Sequence, residues 1–224
     1  MADLTILFIT ASEMPEEWEK YHRSVLEEAA GEFPIISVSR KPLDLGLNLL
    51  DTEPKSLSNI YRQMLRAAKL ATTPYVAMAE SDTLYHKDHF RFYRPKDEFA
   101  YDQNRFALFT WGKPVFHWRN RLSNCSLIAP RDLLIEALEE RFQKYPGGTP
   151  HALTGELGRK RLDSQLGLTE RKCTEVFANV SLIQINHENA SEERQKNRRK
   201  SYGPIRAYDI PHWGKAKDLI KKYK

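Results

Sequence analysis

The segment from Leu57 to Asp82 constrains the fold of this chain more than any other. Leu57, Ile60, Tyr61, Met64, Leu65 and Ala68 recur at i, i+3, i+4, i+7, i+8 and i+11 as one apolar stripe, with Arg62, Gln63, Arg66 and Lys69 facing elsewhere. That period predicts an amphipathic helix. Ser56 or Ser58 is placed to cap its start, and Thr72-Thr73-Pro74 to end it. Tyr75 to Ala79 follows, five apolar residues without a charge, short enough to read as a buried strand. Two acids come next. In extended geometry Glu80 and Asp82 point the same way from the C-terminal end of that strand, where open α/β sheets bind ligands. Such a pair is a natural place for a metal ion.

The flanking segments repeat the alternation. Leu4 to Thr10 reads as a first buried strand, leaving through Thr10-Ala11-Ser12. Pro15 opens a helix with Trp18, Tyr21, Val25, Leu26 and Ala29 on one face and Gly31 placed to stop it. Ile35 to Ser39 is a second strand, running into Arg40-Lys41-Pro42, and Leu43 to Asp51, of mixed character around Gly46, reads as loop. Strand, helix, strand, helix, strand demands a mainly parallel sheet with right-handed crossovers. In such a sheet Thr10, Ser12, Arg40 and Lys41 meet the Glu80-Ser81-Asp82 loop along one edge. The hydroxyls and fixed positive charges there suit a nucleotide diphosphate.

Further on, Phe106 to Thr110 and Pro114 to Trp118 read as a hairpin, and Cys125 to Ala129 as another buried strand. Pro130 opens a helix carrying Leu133, Leu134, Ala137, Leu138 and Phe142. Tyr145 to Pro150 is a flexible Pro-Gly-Gly loop, and Val176 to Ile185 a last strand. His86 and His89 lack the spacing of a helical metal pair or a zinc finger and read as packing or surface residues. Trp111, His117 and Trp118 are read as core aromatics, with stacking on an acceptor as the functional alternative.

At 224 residues the chain suits one α/β domain with a small appendage. From Glu192 onward the sequence is charged, with Arg194, Lys196, Arg198, Arg199 and Lys200 followed by Arg206, Lys215, Lys217, Lys221, Lys222 and Lys224. This divides the chain into a domain at 1–191 and a basic C-terminal tail at 192–224. Tyr202, Tyr208, His212 and Trp213 interleave the cations, a pattern that fits nucleic acid as well as a solvated tail. The formal net charge of +5 favours polyanionic partners. No stretch reaches transmembrane length, the first residues show no signal-peptide pattern, and two cysteines are too few for a disulfide framework. A cytoplasmic protein with free thiols is expected.

Ser58-Asn59-Ile60 through to Glu80-Ser81-Asp82 resembles the central segment of GT-A type, family 2-like, nucleotide-sugar glycosyltransferases. In that family an Asn-bearing helix leads into a strand ending in an Asp-x-Asp-like metal motif; here the triplet is Glu-Ser-Asp. The resemblance implies a Rossmann-like, mainly parallel central sheet with helices on both faces and an acceptor-side half. It implies a UDP-sugar donor and Mn²⁺ or Mg²⁺, with Asp82 and Glu80 as metal ligands and His187, directly after the last strand, as a third. Ser81, Asn59, Thr10, Ser12, Arg40 and Lys41 would face the donor. Glu156 would be the base that deprotonates an acceptor hydroxyl, with Asp163 as second choice, and the product would be inverted. A small, basic transferase of this kind also looks like the phage-type enzymes that glycosylate hydroxymethylated pyrimidines in DNA. A saccharide acceptor is the alternative, and the rival from another class is a non-catalytic nucleic-acid-binding module. A nucleotidyltransferase would show a glycine-rich basic loop where this chain has Thr10-Ala11-Ser12-Glu13.

Overall fold

Strand β1 (Leu4–Ile9) is buried at every position because it lies inside a seven-stranded sheet. Its one polar residue, Thr5, is satisfied by the Thr73 hydroxyl at 2.7 Å. The computed structural model describes residues 2–188, 203 and 205–224. Parallel to β1 run β2 (Ile35–Ser39) on one side and β4 (Tyr75–Glu80) on the other, and β3 (Leu47–Leu50) extends the sheet beyond β2. Beyond β4 lie β9 (Leu127–Pro130), β6 (Phe99–Asp102) and β10 (Cys173–Val176), giving the order β10-β6-β9-β4-β1-β2-β3. All run the same way except β9, which is antiparallel to both neighbours.

Alternation along β1 fixes the two layers. Leu7 and Ile9 face α2 (Leu57–Leu70) and α4 (Arg131–Lys144), packing with Tyr61, Met64, Ala68, Leu134 and Leu138. Leu4, Ile6 and Phe8 face the other way, onto Leu26, Ala29 and Ala30 of α1 (Glu16–Ala30). Each fully buried aliphatic or aromatic side chain contributes about 1.5–3 kcal/mol, so both layers are needed to hold so short a sheet. The mainly parallel sheet with helices on both faces is the architecture expected from sequence.

Two elements differ from the sequence reading. Residues 43–51 are not all loop: Leu47–Leu50 pair with β2 as an edge strand. Leu47 and Leu50 remain half exposed, so the strand lacks the clean alternation that identifies one. Gly46 makes the turn into it at φ 60°, and a Cβ there would sit 2.1 Å from the Ile35 carbonyl oxygen. The stretch 176–185 is two elements rather than one, since β10 ends at Val176 and β11 (Leu182–Asn186) belongs to a second sheet. Polar Asn179 and Ser181 fall in the crossing between them.

That second, five-stranded sheet has the order β12-β8-β7-β11-β5, from β5 (Thr83–Leu84), β7 (Arg105–Phe109), β8 (Phe116–Trp118), β11 and β12 (Arg206–Ala207). Strands β7 and β8 form the expected hairpin. Its far face is covered by the end of the chain. Ile210, Ala216, Leu219, Ile220 and Tyr223 are buried with Leu84, Leu108, Phe116, Ile183 and Ile185, against Trp18, Tyr21 and Val25 of α1. Residues 205–224 are thus part of the packed body rather than a tail. Arg194, Lys196, Arg198, Arg199 and Lys200 lie outside the described residues. Both cysteines are free, and no helix among the described residues is long and apolar enough to cross a membrane.

Candidate active site

Register brings the acids to the β1 exit. Glu80 is the partner of Ile9, so it stands beside the point where the chain turns into Thr10 and Ser12. The Glu80 N–H donates to the Tyr85 hydroxyl at 2.9 Å, and that hydroxyl donates to the Cys125 carbonyl at 2.9 Å. The main chain at the end of β4 is therefore pinned by a fully buried tyrosine. Asp82 follows in the turn to β5. Its carboxylate accepts from the Thr83 hydroxyl at 3.0 Å and from Gln184 Nε2 at 3.2 Å, while its carbonyl accepts the Ile185 N–H at 2.7 Å.

Both carboxyls are held above their ordinary range. Burial is the first cause for Glu80, and the neighbouring Asp82 charge the second. For Asp82 burial also dominates, opposed by the hydrogen bonds from Gln184 and Thr83 and by the charges of His187 and Arg105. Arg105 is a residue that the sequence reading does not single out. It is fully buried on β7, donating from Nη1 to Gln184 Oε1 at 2.7 Å and from Nη2 to the Arg121 carbonyl at 2.9 Å. Because the guanidinium occupies Gln184 Oε1, the amide nitrogen is turned toward Asp82. A permanent charge thus reaches the acid through one oriented amide.

His187 follows β11 and is buried, edge-on to Trp18 at 6.2 Å. Burial holds its pKa below the usual histidine value, against the opposing charges of Asp82 and Glu13. The first turn of the β1 exit is strained: Ser12 adopts φ 54°, and its N–H donates to Thr10 Oγ1 at 2.9 Å. A non-glycine residue in the left-handed region is the kind of cost that folds retain beside ligands. Arg40 is exposed and donates to the Glu53 carbonyl at 2.8 Å, and Lys41 is exposed at the β2 exit.

Asn59 has a different setting from the one expected. It donates to Asp51 Oδ2 at 2.7 Å, alongside Gln63 at 2.6 Å, while Arg66 donates to Oδ1 at 2.9 Å. This network ties the β3 exit to the start of α2, with the Asn59 amide nitrogen committed to it. A cavity of about 810 Å³ lies beside Asn59, Arg62, Arg66 and Phe142, and the acid pair is not among its lining residues.

A second cavity has a volume of about 680 Å³. Glu156 lines it with Tyr61, Arg121, Asn124, Thr154 and Arg159; Glu80 and Asp82 are not among its lining residues, and the Glu156 charge adds a small upward push to the pKa of Glu80. Glu156 pairs with Arg159 at 3.1 Å. Asp163 is not brought to this cavity. It is buried on α5 (Lys160–Leu166), accepting the Arg171 N–H at 3.4 Å in a network with Arg141 and Glu140.

Among the described residues, no three His, Cys, Asp or Glu side chains converge to cage an ion. The donor set nevertheless fits a hard divalent cation. Mg²⁺-type sites commonly use one or two carboxylates and complete their shell with substrate phosphates, and Mn²⁺ accepts imidazole beside carboxylates. Two desolvated carboxyls that repel one another are relieved by such a charge. Arg105 and Gln184 escape sequence reasoning because they meet only through the pairing of β7 with β11. A basic residue opening the apolar run Arg105-Phe106-Ala107-Leu108-Phe109 is the one available signal.

No protein-family model and no curated protein matches the chain. Solved structures similar to it include a glycosyltransferase involved in the glycosylation of the major capsid of PBCV-1, at 11% identity and TM-score 0.46, covering 80% of this chain and 92% of that one. The mannosyltransferase PcManGT from Pyrobaculum calidifontis, in complex with GDP-Man and Mn²⁺, gives 13% and 0.44 over 82% of this chain and 56% of that one. S. aureus TarS 1-349 in complex with UDP-GlcNAc gives 12% and 0.47 over 88% and 62%. The chain thus spans less than two thirds of the last two.

Proposed function

We propose that this protein transfers a sugar from a nucleotide-sugar donor, a UDP-sugar, to an acceptor hydroxyl with inversion at the anomeric carbon. The observation that carries the reading is the mutually repelling Glu80 and Asp82 pair at a parallel strand end, with His187 following β11 beside Asp82 and the Glu156 charge acting on Glu80. Asp82, with Glu80 and His187, would hold Mn²⁺ or Mg²⁺, which when bound neutralises charge growing on the leaving diphosphate. Thr10, Ser12, Arg40 and Lys41 line the exits of β1 and β2 and would orient the nucleotide.

Glu156 takes the acceptor proton. The acceptor oxygen then forms its bond to the anomeric carbon as the bond from that carbon to the diphosphate oxygen breaks, and the nucleoside diphosphate leaves. A base opposite the leaving group gives inversion. Arg105, through Gln184, keeps Asp82 directed while the charge on the donor changes.

The test is donor hydrolysis. The protein should slowly release UDP from a UDP-sugar when Mn²⁺ is added and stop with EDTA; a binding module would release none. For the acceptor we propose a hydroxymethylated pyrimidine in DNA, on the strength of the basic run around Arg194, Arg198, Arg199 and Lys200. Affinity for duplex should then fall with log salt by about 0.9 per phosphate contact. A flat salt response with a saccharide acceptor used equally well would replace DNA by a glycan.

A further inference from the structure

His22 sits on α1 with 2% of its surface exposed, and its Nε2 is 2.7 Å from the hydroxyl of Tyr223, 201 residues away and itself 3% exposed. Among the described residues the other ring nitrogen, Nδ1, is buried without a hydrogen-bond partner; α1 packs on β5, and the main chain of Ser81 and Thr83, the residues on either side of Asp82, acts on the ring. Burial pushes the ring down to about 3, so it is neutral and carries a single proton. A neutral imidazole has one donor and one acceptor nitrogen, and a carbonyl can only accept. The proton therefore belongs on Nδ1. Nε2 must accept, and the Tyr223 hydroxyl must donate to it.

We propose that Tyr223 and His22 are positioning residues for the acid loop: the C-terminal hydroxyl selects the His22 tautomer, and the Nδ1–H so fixed holds the backbone on both sides of Asp82. The same aromatic group extends to the other candidate ligand. The Tyr223 ring is edge-on to Trp18 at 5.2 Å and to His22 at 5.6 Å, and Trp18 is edge-on to His187 at 6.2 Å. One residue at the end of the chain thus supports Asp82 through a hydrogen-bonded histidine and His187 through a tryptophan. Losing the hydroxyl frees Nε2 to take the proton, which leaves Nδ1 with none to offer the main chain of Ser81 and Thr83. The loop then loses its support.

Three measurements test this. In ¹⁵N-histidine NMR spectra of the wild-type protein, His22 should show the Nδ1–H tautomer; an Nε2–H ring overturns the proposal without any variant. Tyr223→Phe keeps the ring and its packing, and should speed amide hydrogen exchange at residues 81–84 about 5-fold, the scale of one buried hydrogen bond. Tyr21→Phe, which changes a neighbouring ring of the same cluster, should leave those amides unchanged. Equal exchange in wild type and Tyr223→Phe overturns the brace. The last arm rests on the proposed function: Tyr223→Phe should raise the Mn²⁺ concentration for half-maximal binding in the presence of UDP about 5-fold. If wild type binds no Mn²⁺ while the first two arms hold, the transferase reading fails and the brace stands. If wild type binds and the variant binds equally well, the brace has no bearing on the metal and the positioning role is overturned.

Discussion

The acid pair and Glu156 form two acidic walls built in opposite ways. Glu80 and Asp82 stand at the end of a buried strand, their main chain pinned by Tyr85 and Ile185 and one carboxylate held by Thr83 and Gln184. Glu156 stands in a loop between a short helical turn at His151–Leu153 and α5, and its carboxylate pairs with the half-exposed Arg159. The difference matches the two tasks. An ion and a diphosphate need charge fixed before they arrive, because reorganising it during reaction would cost what it is meant to supply. A base of the kind proposed for Glu156 must follow a proton on a substrate that enters and leaves, and a loop at a cavity suits that task.

Removing the buried charge behind the first wall should have the largest effect. Arg105→Met strips the acid pair of its fixed counter-charge and leaves Gln184 Oε1 and the Arg121 carbonyl without their donor. Urea unfolding should show a loss of about 3–5 kcal/mol; a loss under about 1 kcal/mol, the scale of an exposed pair, would mean Arg105 is not the anchor of that wall.

The carboxylates themselves should separate the walls by kind of effect. Asp82→Asn should cut both UDP release and transfer by at least about a hundredfold, the scale of one lost transition-state stabiliser. Glu156→Gln should cut transfer by about a hundredfold or more while leaving donor affinity and metal-dependent UDP release near wild type. If both variants lose donor hydrolysis equally, the division of labour collapses.

A smaller effect should appear in stability against pH. The acid pair is held above the ordinary carboxylate range in the fold, so the folded state binds those protons more tightly than the unfolded chain. Their contribution is complete below the ordinary carboxylate range and is lost as pH rises through the raised folded values. Each tenfold gain in proton affinity on folding is worth about 1.4 kcal/mol. Metal-free protein should therefore melt lower at neutral than at mildly acidic pH, by an amount that added Mn²⁺ reduces and Asp82→Asn shrinks. A melting temperature indifferent to pH and Mn²⁺ would show that the two acids do not repel one another in the fold.

The smallest effect belongs to the open wall. Arg159→Ala removes a partly exposed ion pair and should change stability by at most about 1 kcal/mol, read by thermal melting. A larger loss would make the Glu156 loop as rigid as the acid turn and erase the contrast.

Sequence alone determined the repeating part of this protein. The stripe on α2, the apolar run of β4 and the acids at its end are local patterns, set by helical and strand periods and by Pro74, and the structure keeps them within a residue or two. Glu156 and His187 are legible as polar residues beside glycines or after a strand; in the fold the Glu156 charge acts on Glu80 and the Asp82 charge on His187. Asp163 carries a comparable local signal, yet burial and Arg171 give it a different setting. What only the tertiary structure decided is everything that depends on pairing between distant segments. Arg105 meets Gln184 because β7 lies beside β11, part of Leu43 to Asp51 becomes a strand because β2 has a free edge, and Tyr223 reaches His22 because the end of the chain covers the second sheet. No period in a sequence records such meetings. They follow from which buried surfaces remain to be covered once the local elements have formed.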